Sequence, residues 1–401
     1  MKKFSLVATL ALVMVNNVMA TPEIELGGQG VIYYQTNNNG SDDFLSQHSS
    51  SANAGLQIDL KSDLGNDFGL GYQGTFLGTL GLEKNLVSGV RQHIDQTKLN
   101  GYATTKLFLS KNIANTSIKL GRQELPKSLS PLAFSEGWNV FKNTFDAVVI
   151  ANKDIEDTTL VGAFVGASNS HADLSTFDDL AGGSGSGLAK SANNLESGAL
   201  MLTIANKSIK DLPITATYYA LKDINATTSH QSGNALWLDV KANQLPIKMA
   251  FQAGQIDPSN SLSKTKAYGV KASGKVEDLA LSLSYSHVND GAVHLRNVGT
   301  GIKTPLYTQM IGNQNFIASD NDTFVLKAVK PLPVGKLIAV YDTTNDTSLA
   351  NNDYQELDVV YKFKALGTDM LLAYIGQKTK NPTFGTDKDS NNLRFWTRYH
   401  F

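Results

Sequence analysis

One pattern repeats along the chain from residue 23 to residue 401: about ten residues alternate between apolar and polar, and a connection follows. In one segment Leu56, Ile58 and Leu60 are apolar, whereas Asp59 and Lys61 between and beside them are polar. Because successive side chains of a strand point to opposite faces, the two sets lie on opposite faces. The pattern therefore predicts β-strands that each have one apolar and one polar face.

The connections between these segments alternate between short and long. The short ones, such as residues 63–66 and 365–367, carry Gly or Asn, which suit tight turns between antiparallel strands. Counting the segments predicts about eighteen strands, with sixteen as the second choice if residues 144–153 and 322–330 do not span. The predicted fold class is all-β, an antiparallel β-barrel with short turns at one end and long loops at the other.

The residues of the last strand indicate which face of the strands contacts lipid and which contacts water. Its apolar set is Leu393, Phe395, Thr397, Tyr399 and Phe401, and its polar set is Arg394, Trp396, Arg398 and His400. A face this polar on nearly every strand is not a dry core, because each unpaired buried charge would cost several kcal/mol. It can line a water-filled lumen while the apolar face meets lipid. We therefore predict a transmembrane barrel with periplasmic turns and extracellular loops.

The first twenty residues form a separate unit. Lys2 and Lys3 precede an apolar run at residues 4–15, and Ala20 ends a stretch that suits signal-peptide cleavage. The run is shorter than the roughly 20 apolar residues of a spanning helix. We predict a signal peptide at residues 1–20, a barrel domain at residues 21–401, and a location in the outer membrane of a Gram-negative bacterium.

Composition narrows the function classes. The chain has no Cys, so disulfides do not hold it together, and its formal net charge of −1 argues against a nucleic-acid partner. No nucleophile elbow, Walker-type loop or metal-ligand spacing is present, and the seven His residues are scattered. We therefore expect no enzyme activity, no cofactor and no metal site. A barrel enzyme acting on lipids would need a Ser or Asp beside a His, and the sequence offers no convincing set.

The connection at residues 125–143 differs from the other loops because it is amphipathic. It carries Leu129, Leu132, Phe134, Trp138 and Phe141 among Lys127, Glu136 and Lys142. We expect this third long loop to fold into the barrel, pack its apolar side on the wall and narrow the pore with its charges. The alternatives are a loop that caps the outer rim and one that grips a neighbouring subunit.

Residues 118–123 (IKLGRQ), followed by this loop, resemble the OprD-type (Opr family) outer-membrane porins. Residues 354–361 (YQELDVVY) and the terminal Phe401 fit the same resemblance. The resemblance implies an eighteen-stranded barrel, often assembled as a trimer, whose third long loop narrows the pore. It also implies passive uptake of small solutes, in some members along a ladder of basic residues.

The expected pore-lining residues at the constriction are Lys119, Arg122, Gln123, Glu124, Glu136, Arg394 and Arg398. Arg122 has the parity of Ile118 and Leu120, so it either lies beyond the apolar band or is turned inward by a bulge. Inward aspartates such as Asp59 and Asp358 dilute the basic set. The sequence therefore leaves the choice between anion and cation selectivity open.

The predicted function is that of an outer-membrane porin for passive diffusion of ions and small hydrophilic solutes. Its expected partners are outer-membrane lipid, those solutes and, in a homotrimer, further copies of the chain. The alternative is a structural or adhesive barrel that acts through its extracellular loops at residues 171–194 and 290–321.

Overall fold

The structure is a computed structural model that describes residues 23–38, 43–94, 100–175, 177–180, 198–225, 231–244, 246–259, 262–347, 353–380 and 387–401. The predicted signal peptide at residues 1–20 and most of the loop at residues 171–194 lie outside these residues. In the described part of the chain, no helix is long and apolar enough to cross a membrane.

The alternating segments form strands, as the sequence predicts. Their bounds are β1 (Ile24–Asn38), β2 (Ser50–Gly65), β3 (Phe68–Gly78), β4 (Gly101–Ile113), β5 (Thr116–Gln123), β6 (Phe145–Asn152), β7 (Thr158–Asn169), β8 (Phe177–Asp179), β9 (Ala199–Asn206), β10 (Ile214–Asn225), β11 (Gln231–Ala242), β12 (Lys248–Pro258), β13 (Thr265–Val276), β14 (Leu279–Val288), β15 (Asn321–Pro331), β16 (Lys336–Asp346), β17 (Asp353–Ala365), β18 (Thr368–Lys380) and β19 (Lys388–His400). β8 is a three-residue strand within the long loop after β7, and every other strand corresponds to a predicted one.

The strands pair in chain order and close into a ring. Each pairs antiparallel with its neighbours, β7 pairs directly with β9, and β19 pairs with β1 from Gln29↔His400 to Asn38↔Asn391. The ring without β8 has eighteen strands, which confirms the predicted count. The second choice of sixteen is wrong, because β6 and β15 pair along their length with both neighbours. Closure gives each of these eighteen described strands a partner on both sides.

The short connections gather at one end of the barrel. Asn66 and Asp67 have φ angles of 51° and 60°, and Leu366 and Gly367 have φ angles of 52° and 74°. Two successive left-handed residues form the tight hairpin turn that matches the twist of paired strands. The C-terminal residue lies at this end too, where the Phe401 amide donates to the Gly28 carbonyl at 3.2 Å. The long loops therefore extend from the opposite end.

The outer face is apolar and exposed around the ring. On β9, for example, Leu200, Leu202 and Ile204 are 45–53% exposed on this face. In water a continuous belt of this kind would be an unusually large exposed hydrophobic patch, whereas in a bilayer it meets hydrocarbon. The belt therefore places the barrel across a membrane.

Tyrosine hydroxyls mark the edge of the belt nearest the long loops. The Tyr218 hydroxyl donates to Asn234 Oδ1 at 2.5 Å, and the Tyr374 hydroxyl donates to Asn391 Oδ1 at 2.7 Å. Each hydroxyl is satisfied by a polar residue of the next strand towards the loop end. Amphipathic rings favour this position, with the ring in the apolar layer and the hydroxyl at its polar boundary.

The inner wall has two unlike parts. The apolar wall comprises the inward residues of β6, β7, β9, β10 and β11, which include Ala147, Val149, Val161, Ala163, Val165, Ala199, Met201, Tyr219, Ala235 and Trp237. The charged wall comprises the inward residues of β15–β19 and β1–β5, which include Lys327, Asp342, Glu356, Asp358, Lys362, Arg394, Arg398, Asp59 and Lys119. Residues 157–168, apolar on both faces in the sequence, belong to the apolar wall.

Candidate functional site

Loop 3 (residues 124–144) packs its apolar side on the apolar wall. Leu132, which is 1% exposed, belongs to the same buried cluster as Val161 and Val165. The Leu132 amide donates to the Tyr219 hydroxyl at 3.1 Å, and Thr203 Oγ1 donates to the Leu129 carbonyl at 2.7 Å. Both Tyr219 and Thr203 are inward residues of the barrel wall. This part of loop 3 therefore lies inside the barrel.

The other side of loop 3 reaches the charged wall. Arg398 Nη2 on β19 donates to the Val140 carbonyl at 2.9 Å. The Phe141 ring lies so close to β2 that a Cβ on Gly55 would be 2.5 Å from the ring. Only glycine permits this approach without displacement of the ring. Loop 3 therefore crosses the lumen from β10 to β19 and β2.

Loop 7 (residues 289–320) also lies inside the barrel, which the sequence analysis did not predict. Its Leu306 and Val298 join the buried cluster of the apolar wall. The Tyr307 hydroxyl donates to Asp239 on β11 at 2.6 Å, and the Gly312 amide donates to Glu356 on β17 at 2.8 Å. Loop 7 thus spans from the strands beside the apolar wall to the charged wall.

Glu136 joins the two loops. Its Oε1 accepts hydrogen bonds from Asn297 Nδ2 at 2.7 Å, Thr300 Oγ1 at 2.5 Å and the Lys303 amide at 3.1 Å, all in loop 7. Its Oε2 accepts from Trp138 Nε1 at 2.5 Å. Glu136 is 4% exposed, so these four donors replace its lost hydration.

Trp138 of loop 3 lies where three other loops meet it. The Arg91 guanidinium is 5.0 Å and the Lys303 ammonium 5.2 Å from its ring centroid, and the His171 ring stacks on it at 5.7 Å. Burial, with a smaller contribution from Arg91, lowers the pKa of His171, so its imidazole is neutral at neutral pH. The positive charge around Trp138 therefore comes from Arg91 and Lys303.

Lys303 holds the middle of loop 7 in shape. Its Nζ donates to the carbonyls of Met310 and Ile311 at 2.9 and 2.8 Å and to Gln314 Oε1 at 2.9 Å. Burial lowers its pKa to about 8, although Glu136 favours the charged form. The ammonium is charged at neutral pH and loses its charge far below the usual range of lysine.

The two predicted arginines of β19 face inward, as the alternation indicates. Arg394 is 9% exposed and donates from Nε and Nη2 to Gln35 Oε1 at 3.2 and 3.1 Å. Arg398 donates from Nη1 to Gln29 Oε1 at 2.6 Å and from Nη2 to loop 3. Arg398 is thus in contact with loop 3, and Arg394 is held against the wall.

Lys119 and Gln123 lie on the inward face of β5, opposite in parity to Leu120, which is 52% exposed. The Lys119 ammonium is 4.3 Å from the centroid of the Phe108 ring. Gln123 is 3% exposed and donates to the Ala147 carbonyl at 3.1 Å. Lys119 therefore faces the lumen, whereas Gln123 is part of the packed wall.

Glu124 lies between two lysines at the start of loop 3. It accepts from Lys106 and from Lys142, each at 2.7 Å. Burial alone would raise the pKa of Glu124, but the two ammonium groups more than offset it and lower that pKa. Glu124 is therefore ionised, and its charge is fully engaged by Lys106 and Lys142.

Arg122 lies on the outer face, which corrects the expectation that it lines the pore. It pairs in register with Leu107, which is 43% exposed to the outside. Its Nε and Nη2 donate to the two oxygens of Asp146 at 2.8 and 3.0 Å. No bulge reverses its parity, since β5 pairs with β4 and β6 without a register shift.

Glu136 also differs from its expected role. The sequence predicts a charge that narrows the pore, but the carboxylate is buried and saturated between loops 3 and 7. The sequence analysis does not predict the inward fold of loop 7, although the apolar residues of this loop indicate it. Leu295, Val298, Leu306 and Ile317 occur in a loop that was interpreted as extracellular, and all are buried.

Several lysines of the described strands face the lumen without a carboxylate partner, and four of them lie on the strands β5, β13, β15 and β17. These four are Lys119, Lys271, Lys327 and Lys362, and among the described residues no carboxylate oxygen lies within 4.0 Å of their ammonium groups. On each of the same strands a side chain of the opposite parity is exposed on the outer face, namely Leu120, Tyr268, Leu326 and Leu357. Lys362 pairs directly in register with a further lysine, Lys336. Like charges opposite each other destabilise a sheet, so this pair does not serve stability.

Comparison with known proteins shows the fold. No protein-family model and no curated protein matches the chain. Crystal structures do: Pseudomonas aeruginosa OccK8 (OprE) has a TM-score of 0.73 at 14% identity, covering 94% of this chain and 98% of that one. Acinetobacter baumannii OccAB3 has a TM-score of 0.73 at 15% identity, covering 94% and 99%. Pseudomonas aeruginosa OccD3 (OpdP) has a TM-score of 0.71 at 13% identity, covering 94% and 91%.

This likeness extends over nearly the whole chain and confirms the predicted resemblance at the level of fold. The chain has the closed eighteen-stranded fold of the Occ, or OprD-type, outer-membrane porins. At 11–15% identity the likeness shows the fold alone. The function is argued from the lumen itself.

Proposed function

We propose that this protein is an outer-membrane porin through which small hydrophilic solutes diffuse passively, with a preference for anions. Residues 1–20 direct its export, the short turns face the periplasm, and the loops face outside. The belt and the closed ring require a lipid bilayer, and the likeness to Occ structures supports the outer membrane. The proposal includes no catalytic step and no cofactor.

One observation carries the anion preference: the inward acids are engaged, whereas the four lysines are not. Asp239 accepts from Tyr307 of loop 7, and Asp59 accepts from Gln73 Nε2 at 2.8 Å. Glu356 and Asp358 accept from amides of loop 7. These donors are neutral, so the acids keep their charge, but the hydrogen bonds hold their oxygens against the wall and the loops, where a passing solute meets them less directly than the lysines.

The unpaired lysines supply the opposite sign. Lys271, Lys327 and Lys362 lie on β13, β15 and β17, and Lys119 lies on β5, all below the two loops and towards the short turns. An anion that passes the loops therefore meets ammonium groups on more than one side of the lumen. Rings of cationic side chains of this kind favour anions in pores.

Loops 3 and 7 set the size limit in this proposal. Both reach from the apolar wall to the charged wall and contact each other through Glu136, so a solute has to pass beside them. Trp138, Lys303 and Arg394 lie at the level where loop 3, loop 7 and β19 meet. The loops then limit the size of the solutes that pass, and the lumen charges determine which sign of ion permeates faster. Neither effect requires a conformational cycle.

The test is a charge reversal of two lumen lysines, Lys271→Glu with Lys327→Glu, in the refolded protein. We expect the anion-to-cation permeability ratio in a planar bilayer to fall, because two positive charges become negative at the lumen surface. The matched control is Lys266→Glu, since Lys266 is exposed on the outer face of β13. If the double variant and the control have the same permeability ratio as the unaltered protein, the lysines do not determine selectivity.

The predicted homotrimer remains part of the proposal. It is tested by chemical crosslinking of the protein in native membranes, where a band at three times the protomer mass is expected. A single protomer band would show that one barrel acts alone.

A further inference from the structure

Three carboxylates lie side by side on the charged wall, facing loop 7. Asp342 on β16 pairs in register with Glu356 on β17, and Asp358 lies two residues further along the same face of β17. Their exposures are 0%, 1% and 2%. Burial of three acids at one place is costly unless each has partners, so their partners indicate what they do.

Three successive residues of loop 7 supply those partners, one for each acid. The Ile311 amide donates to Asp358 Oδ2 at 3.4 Å, and the Gly312 amide donates to Glu356 Oε1 at 2.8 Å. Asn313 Nδ2 donates to Asp342 Oδ2 at 2.6 Å. The wall therefore grips residues 311–313 at three points, while Lys303 holds the same turn from within loop 7.

Gly312 shows how closely the turn is held. A Cβ at this position would lie 1.9 Å from Gln377 Nε2 and 2.8 Å from Glu356 Oε2. A side chain there would have to displace the amide of Gln377 or the carboxylate of Glu356, which is the partner of the Gly312 amide. Glycine therefore leaves the contact with Glu356 undisturbed.

The same place lacks a partner for one oxygen. Asp358 Oδ1 is buried and accepts no hydrogen bond within the described structure. The Ile311 amide reaches only the other oxygen, Oδ2, so Asp358 is the least fully engaged of the three acids. Glu356 has a further partner on the wall, because the Tyr354 hydroxyl donates to its Oε2.

We propose that Asp342, Glu356 and Asp358 are positioning residues that latch residues 311–313 of loop 7 across the lumen. This inference rests on the proposed pore, because the latch sets how far loop 7 obstructs it.

The first test removes one point of the latch by Glu356→Leu. We expect hydrogen exchange of the amides in residues 310–314 to become about tenfold faster at neutral pH, which is the loss of one buried, charge-assisted hydrogen bond. Single-channel conductance is expected to rise in the same variant. Gly312→Ala, which keeps every acid, is expected to loosen the same amides. Unchanged exchange in both variants would overturn the latch.

The second test removes the point that Asp358 supplies, through Asp358→Leu. The Ile311 amide is 3.4 Å from Asp358 Oδ2, the longest of the three contacts, so we expect a smaller increase in the exchange of residues 310–314 than Glu356→Leu causes. An increase larger than that of Glu356→Leu would contradict the three-point latch.

Hydrogen exchange also separates this inference from the proposed function. The exchange of residues 310–314 is measured in detergent micelles and does not require that the barrel conducts. A folded protein that fails to conduct would overturn the porin, and its exchange rates would still report whether the latch exists.

Discussion

The apolar wall and the charged wall belong to one closed sheet, yet they hold the inward loops by opposite kinds of contact. The apolar wall excludes water by binding the apolar sides of loops 3 and 7 in a single buried cluster. The charged wall holds the loops through polar contacts, from Asp358 and Glu356 to loop 7 and from Arg398 to loop 3, whereas lysines such as Lys119 stay open to the lumen.

This difference explains how a loop can lie inside a water-filled barrel. An amphipathic loop needs an apolar surface for one side and water or charges for the other. The two walls provide both, because the apolar sides of the loops pack on one wall and their polar groups reach the other. The comparison predicts that damage to the apolar wall releases the loops, whereas damage to the charged wall changes selectivity.

The largest effect is expected from Leu132→Asp, which places an unpaired carboxylate in the buried cluster. The cost of several kcal/mol exceeds what the loop gains from packing there, so loop 3 should leave the wall. We expect larger and noisier single-channel conductance, with the barrel itself still folded by circular dichroism.

The matched control is Leu366→Asp. Leu366 is 93% exposed in a short turn at a φ of 52°, a conformation that Asp tolerates. It should leave conductance unchanged. A Leu132→Asp variant that conducts like this control would show that loop 3 is not held by the apolar wall.

A smaller effect is expected when one acidic side chain of loop 3 is removed. Removal of Glu136 should change the stability of the loops, whereas removal of Glu124 should change ion selectivity. Glu136→Ala removes the acceptor of four hydrogen bonds and should speed hydrogen exchange in loops 3 and 7, with about 3 kcal/mol of local stability lost. Glu124→Ala frees the ammonium groups of Lys106 and Lys142 and should raise the anion preference.

These two variants sharpen the comparison because each removes one negative charge. If selectivity responded only to net charge, both would shift the permeability ratio equally and neither would alter exchange. Equal shifts would therefore contradict the assignment of Glu136 as the connection between the loops.

The smallest effect is a pH dependence of selectivity that arises from Lys303. Because burial lowers its pKa to about 8, its charge is present at pH 7 and largely lost by about pH 9. The anion preference should therefore decline as pH rises through this range. Lys303→Met should remove this decline, measured as the permeability ratio at each pH, whereas Lys266→Met on the outer face should keep it.

The fold could be predicted from the sequence because the alternation of apolar and polar residues is visible within each strand by itself. Alternation assigns the face of every residue, and closure follows from the need to pair all edges. The parity of Arg394 and Arg398 thus gave their inward direction correctly. The parity of Arg122 gave its outward direction too, and the expectation that it lines the pore came only from the resemblance.

The site could be predicted only in part, because loops have no comparable periodicity. The amphipathic character of residues 125–143 indicated an inward fold, but nothing local indicated that Glu136 would be buried by residues more than 160 positions away. Loop 7 carried apolar residues without a regular spacing, so they were not distinguished from those of an exposed loop. Contacts between two irregular segments depend on the closed barrel, and the sequence does not encode them locally.

The central claim is that the lumen acids are engaged by the loops and the lumen lysines are free. The most direct test is the reversal potential of the unaltered, refolded protein in a planar bilayer under a tenfold salt gradient at neutral pH. We predict a reversal potential of the sign that arises when anions permeate faster than cations. A reversal potential of the opposite sign would show that Asp59, Asp239, Asp358 and Glu356 act on the solute after all, and would contradict the account.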